Sequence, residues 1–350
     1  MRIGKVKESI LKRSVLRQLH NHSEQGSPAS GEDAGVLFMP EFIPEFPEVS
    51  EETGVAVAVN PVEGWTFAAK RAVYGAVNSM LAAGASLKAI SLSILMPEET
   101  EEKQLKALIK EIDSLCTQEN ILVISGHTAV SPYVSTLILS VTAMGSITEN
   151  RKGITVNKES IVDDKGTTEQ IVGLGADFDL VVVGTVGREG AAMLAAEYAK
   201  RLEERYAPSY IEAAKHLFDD GSMTVVADIL QEKEVVSVHD VREGGIFAAL
   251  WEMAAAANVG LSINLKNIPI KQHTIEVCEY FNLNPYMLRS GGTLLLACAN
   301  GARIVEQLKN AGVEAAVIGQ TTAGNDRLIH YDDEARFLEP PKMDEYYKVN

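Results

Sequence analysis

The sequence predicts a mixed α/β protein made of two α+β halves. These are an N-terminal α+β sandwich over 1–150, a connection at 151–179 and a C-terminal α+β domain over 180–345. Three observations lead there. The chain has 350 residues, more than one compact core usually holds. Hydrophobic residues make up 46% of it, enough to fill two cores. Apolar runs of strand character alternate with Ala-rich helical patterns, and the alternation weakens between 145 and 179.

In chain order, Val6, Ile10, Leu11, Val15, Leu16 and Leu19 lie near helical spacing, and 20–31 reads as a polar Gly/Ser/Pro loop. A strand is expected at 54–59, a helix of closely packing small side chains at 67–85 and a strand at 89–96. Pro97-Glu98-Glu99-Thr100 opens a helix running to about 118, with proline and acids at the positive end of its dipole. Strands at 121–125 and 135–144 complete one layer of helices on a sheet. In the second half, strand 180–183 leads through Gly184–Gly190 into helix 191–205, and strand 235–238 leads through His239–Gly245 into helix 246–257. Strands at 261–265, 292–298 and 315–319 and helices at 272–281 and 301–311 follow, with no sequence repeat.

Acidic residues outnumber basic ones by 48 to 32, and the formal net charge is −16. Such a chain repels polyphosphate, so nucleic acid is not an expected partner. No apolar run approaches the ~20 residues that cross a bilayer, and the start lacks a signal-peptide core. A cytoplasmic protein with no membrane partner is expected. Cys116, Cys278 and Cys298 are far apart in apolar surroundings and read as buried thiols.

Four short segments carry chemistry. Gly31-Glu32-Asp33-Ala34-Gly35-Val36 sets carboxylates before an apolar strand, where a phosphate-bound Mg²⁺ could be held; an ordinary acidic turn is the alternative. Gly126-His127-Thr128 reads as a ligand-binding turn at a strand end, or as a hydrogen-bonded turn histidine. Gly187–Gly190 could present helix-start N–H groups to an anion, although it is no Walker loop. His239-Asp240-Val241-Arg242-Glu243-Gly244-Gly245 is the sharpest: four ionisable groups and two glycines at a strand-to-helix junction. Its bland alternative is Asp240 as an N-cap with Glu243 three residues on.

In order, Gly31–Ala34, Val77–Ala85, Gly126–Thr128, Arg188–Ala191, His239–Gly245 and Leu288–Leu295 resemble the successive motifs of the HypE branch of the aminoimidazole ribonucleotide (AIR) synthetase superfamily, over about residues 4–320. The resemblance implies a PurM-like two-domain fold and a homodimer whose N-terminal sheets join into a β-barrel. It further implies ATP near that interface, held by Asp33, Asn60, Asn78, Gly126, His127, Thr128, Gly244 and Gly245, with Asp33 on Mg²⁺. His239, Asp240 and Glu243 would face the substrate, His239 as proton carrier. The activity implied is ATP-dependent activation or dehydration of a small carbonyl or carbamoyl substrate. The alternatives are a nucleotide- or metabolite-binding protein without turnover, or a dimeric scaffold with a maturation-pathway partner. Two departures stand out. The chain ends Tyr346-Tyr347-Lys348-Val349-Asn350 without the branch's C-terminal cysteine, so chemistry on its own tail is not expected. Asn60, Ser79 and His127 replace usual Asp residues, which lowers the expected Mg²⁺ affinity.

Overall fold

A computed structural model describes residues 8–15, 18, 33–38, 53–148, 160–162, 168–170, 174–340 and 342–349. The polar loop expected at 20–31, Glu32 and most of the 151–179 connection lie outside the described residues.

The N-terminal half runs α1 (Glu8–Ser14), β1 (Gly35–Phe38), β2 (Thr53–Glu63), α2 (Ala68–Ala82), β3 (Ser86–Met96), α3 (Glu102–Gln118), β4 (Leu122–Val130) and β5 (Ile138–Thr148). Its sheet has the order β1-β2-β5-β3-β4, antiparallel except for the parallel β3/β4 pair. Strand β2 alternates, with Ala56, Ala58 and Val62 buried under the helices and Val57 and Val59 on the open face. Helix α3 starts with a Glu101/Gln104 capping box and buries one stripe, Leu108, Ile112, Leu115 and Cys116. Helix α2 is buried on almost every side because it lies between its own sheet and the second half, touching β2, β5, β3 and the later strand at Val235–Asp240.

After the short β6 (Ser160–Val162) and β7 (Thr168–Gln170) pair come β8 (Asp179–Val183), α4 (Arg188–Glu197), α5 (Ala199–Leu202), α6 (Pro208–Lys215), α7 (Ala227–Leu230), β9 (Val235–Asp240) and α8 (Gly245–Ala257). They are followed by β10 (Gly260–Asn264), α9 (Gln272–Phe281), β11 (Leu294–Cys298), α10 (Gly301–Asn310), β12 (Ala315–Thr322), β13 (Arg327–Tyr331) and β14 (Glu334–Phe337). The second sheet has the order β14-β13-β10-β12-β8-β11-β9. Its central strands are covered on both faces. Leu180 and Val182 pack with Ile246 and Leu250 of α8, while Val181 and Val183 pack with Ile304 and Leu308 of α10. That double burial explains the unbroken apolar runs of β8 and β11.

One expectation is corrected here. Gly126-His127-Thr128 is not a turn but the middle of β4, paired with Leu92, Ser93 and Ile94. The glycine suits a strand because a Cβ there would stand only 3.0 Å from the Leu92 carbonyl oxygen.

Candidate active site between the two halves

Successive turns of α2 present Arg71, Gly75, Asn78 and Ser79 towards the second half. Opposite them β9 ends in His239 and Asp240, and the following loop enters α8 through Gly244 (φ 85°) and Gly245 (φ 63°). Only glycine takes this path readily, since a Cβ on Gly245 would also meet the Tyr286 and Leu288 carbonyl oxygens at 2.6 Å.

Ser79 Oγ sits 3.3 Å from Asn60 Oδ1 and 3.2 Å from Asp240 Oδ2. Arg242 donates to Asn60 Oδ1, and its Nε lies 3.9 Å from Asp240 Oδ2. Gly75 makes room for this guanidinium, for a Cβ there would approach its terminal nitrogen to 2.9 Å. Asn60 Nδ2, Asp240 Oδ1 and Glu243 Oε1 are buried without a hydrogen-bond partner. Burial, aided by the charge of Asp33, raises the Asp240 carboxyl to about 7 against the opposing pull of Arg242, His239 and Ser79.

His239 is held at both ring nitrogens, Nδ1 at 2.9 Å from Asp33 Oδ2 and Nε2 at 3.1 Å from Glu252 Oε2. Burial alone would lower its pKa, but the two carboxylates raise it to about 10. In the doubly protonated form favoured by this shift, both nitrogens donate to the carboxylates.

The capping alternative for Asp240 also fails. The N-cap of α8 is Gly244, whose N–H donates to Asp344 Oδ2 at 2.6 Å, so a residue near the chain's end anchors this helix. Asn78 is fully engaged: Nδ2 donates to the Gly221 carbonyl at 2.8 Å, and Oδ1 accepts from the Met223 N–H at 2.9 Å. It brackets the two halves. The Gly187 and Gly190 N–H groups are likewise taken, by Ser290 Oγ at 2.7 Å and the Arg289 carbonyl at 3.1 Å.

Asp33, Asn60, His239, Asp240, Glu243, Gly244 and Gly245 therefore gather at one seam, and Asn78 lies beside it. Gly126, His127 and Thr128 do not join them within one chain. Gly126 shares a sheet row with Asn60, with β5 and β3 between, about 14 Å at the usual strand spacing. The neighbouring row, Pro61, Ser140, Ser93 and His127, points to the open face. Among the described residues no group of three or more His, Cys, Asp or Glu is arranged to hold a metal ion. Asp33, the residue expected on Mg²⁺, is paired with His239 here, and no metal-dependent step is assigned. Glu252, Asp344 and the buried Arg71–Glu189 pair (3.1 Å) were not expected from the sequence.

A two-domain mixed α/β fold with a polar seam between a helix-covered five-stranded sheet and a seven-stranded one defines the class. Residues 31–147 match the N-terminal domain, and residues 179–331 the C-terminal domain, of AIR synthase related protein. The chain belongs to the AIR synthase superfamily and is HypE-like. It is 25% identical over 263 residues to a putative hydrogenase expression/formation protein of Methanocaldococcus jannaschii, covering 74% of this chain and 71% of the relative. To carbamoyl dehydratase HypE of Escherichia coli it is 25% identical over 260 residues, covering 72% and 69%. Among solved structures, a HypE–HypF complex superposes with a TM-score of 0.69 at 16% identity, covering 95% of this chain and 100% of that one. HypE in complex with ATP gives 0.62 at 14% identity, covering 83% and 86%. The structural likenesses establish the PurM-like fold. No described helix is long and apolar enough to cross a membrane.

Proposed function

We propose that the chain is an ATP-dependent enzyme acting on a small carbonyl or carbamoyl substrate, with Asp240 as its proton-transferring group. One observation carries the reading: a buried donor, Asn60 Nδ2, and a buried acceptor, Asp240 Oδ1, face the same seam without partners. Buried polar atoms rarely stay unpaired. An amide edge complements them, its carbonyl accepting from Asn60 and its N–H donating to Asp240. A carboxyl near pKa 7 both takes and returns a proton at neutral pH. The carbamoyl dehydratase name of the E. coli relative and the ATP bound to a HypE of the same fold point the same way.

The nucleotide is assigned to the N-terminal half, and Gly126–Thr128 would reach it from a second copy. The open face supports that homodimer, since Val57, Val59 and Leu122 are 38%, 62% and 67% exposed. The HypE–HypF complex makes a maturation-pathway partner a reasonable companion. A second reading, nucleotide binding without turnover, is favoured by one feature: His239 already engages Asp33.

The test is thermal unfolding with no ligand, with ATP plus Mg²⁺ and with ATP plus EDTA, beside ADP release in a panel of small carboxamides. Saturating ATP at ~100 times its Kd should stabilise the fold by ~2.7 kcal/mol. Asp240→Asn should keep that stabilisation and lose ADP release. Absence of any shift with ATP in either form would contradict the proposal, and a shift without release for any substrate would favour the second reading.

A further inference from the structure

Next to this seam a second buried side chain, Arg289, carries an unpaired atom, its Nε, and nothing in the proposed reaction uses it. We propose that Arg289 and Glu243 anchor a small oxyanion that carries a hydrogen-bond donor beside its charge, under a roof made by Tyr346 and Tyr347. Hydrogen phosphate and 2-hydroxy carboxylates share that chemistry.

The Arg289 side chain is 6% exposed, yet its guanidinium has poor contacts. They are Tyr347 Oη at 3.4 Å, Met193 Sδ at 4.0 Å and Glu189 Oε1 at 3.9 Å, while its Nε has no partner. Burial opposes its charge, but Glu189, Asp344, Tyr347 and Glu243 raise its pKa, so the cation persists. The rings of Tyr346 and Tyr347 lie 5.1 and 5.5 Å from it. Ring stacking engages the guanidinium's face and leaves its in-plane N–H groups unpaired.

Neighbouring acids do not fill the gap. Glu189 is committed to Arg71 Nε at 3.1 Å and the Gly291 N–H at 2.9 Å. Burial and the nearby Arg289 charge both lower the pKa of Arg71, a sign that two cations crowd one carboxylate. Asp344 accepts from the Gly244 N–H at 2.6 Å and the Tyr346 N–H at 2.9 Å. Glu243 Oε1 is buried and unpaired. What remains is one donor on a cation and one acceptor on an acid. Their complement is an oxyanion oxygen for Arg289 and an O–H or N–H for Glu243. The two rings are held by their phenols, Tyr346 to Glu197 at 2.8 Å and Tyr347 to Glu63, while the preceding Asp344 and Glu345 accept from the Gly244 N–H at 2.6 Å and the Asn284 N–H at 3.1 Å.

This inference does not depend on nucleotide binding. Isothermal titration of the full chain at constant ionic strength and neutral pH tests it with inorganic phosphate, glycolate and acetate. Phosphate, glycolate or both should bind saturably with a Kd below about 10 mM, roughly tenfold more tightly than acetate, a difference of ~1.4 kcal/mol. Whichever binds identifies the source of the oxyanion. Arg289→Lys and Glu243→Gln should each weaken binding about tenfold, a change of ~1.4 kcal/mol, and Tyr347→Phe, which frees the roof from Glu63, should strengthen it. Glu243→Gln keeps the shape of the side chain and serves if Arg289→Lys does not fold. The proposal is overturned by no saturable binding, by acetate binding as tightly as the others, or by unchanged binding in Glu243→Gln.

Discussion

Asn78 is the position where two readings diverge most. As a nucleotide ligand it would matter for ATP and little for folding; as the bracket seen here it holds the two halves together. Asn78→Ala removes both of its bonds, 2.8 Å to the Gly221 carbonyl and 2.9 Å from the Met223 N–H. The side chain is 1% exposed, so water cannot easily replace it. Each buried group left unpaired costs about 1–3 kcal/mol, which gives about 2–6 kcal/mol for the pair. At roughly 2 °C per kcal/mol for a long chain, Tm should fall by about 4–12 °C. Urea unfolding at fixed protein concentration, with ATP titrated calorimetrically into the folded variant, measures both quantities. Asn78→Asp keeps the acceptor for Met223 but sets a buried carboxylate oxygen against the Gly221 carbonyl, so it should lose at least as much. A stability change within about 0.5 kcal/mol, together with a large loss of ATP affinity, would refute the bracket.

His239 and Asp240 both bind their protons more tightly in the folded protein, so both remove stability as pH rises. For His239 the contribution is complete below its ordinary 6.5 and is lost as pH climbs through about 10; for Asp240 it is complete below 3.8 and lost through about 7. Unfolding free energy should therefore fall from pH 6 to pH 10 by a few kcal/mol, and His239→Gln should flatten the upper part of that curve. Asp344→Ala should destabilise by about 1–2 kcal/mol, read in urea, because the start of α8 loses its acceptor. Val59→Lys with Leu122→Lys should give a monomeric mass by light scattering where the parent gives a dimer, the open face then carrying charge; an unchanged dimer would place the interface elsewhere.

Much of the fold was legible because burial leaves periodic marks. The in-and-out alternation of Ala56, Val57, Ala58 and Val59, the single stripe of α3 and the continuous apolar β8 and β11 read directly as half-buried strand, surface helix and doubly covered strands. Short pieces left no such mark. Helices α6 and α7 and the exposed β14 are too brief for a period to show. Gly126 looked like a strand's end because glycine usually ends strands, whereas here it lets β4 lie close against β3. At the site, the sequence picked out Asp33, His239 and Asp240 but not that Asp33 pairs with a histidine 206 residues away. That contact joins two motifs that the sequence shows only separately. Glu252 resembled any acid on a helix, and Asp344 lay in a tail read only for its missing cysteine. Arg71, a charge within an Ala-rich helix, was a usable sign of a buried ion pair.

The central claim is that Asp240 titrates near neutrality at a seam where His239 is a fixed cation. Magnetic resonance of the full chain, with histidine labelled by ¹⁵N and aspartate by ¹³C at the carboxyl, follows both groups directly. His239→Gln and Asp240→Asn assign the two signals. The His239 ring should remain doubly protonated from pH 6 to 9, while the Asp240 carboxyl changes state near 7. A His239 ring that loses its proton near 6.5, with Asp240 already ionised at pH 5, would contradict the account.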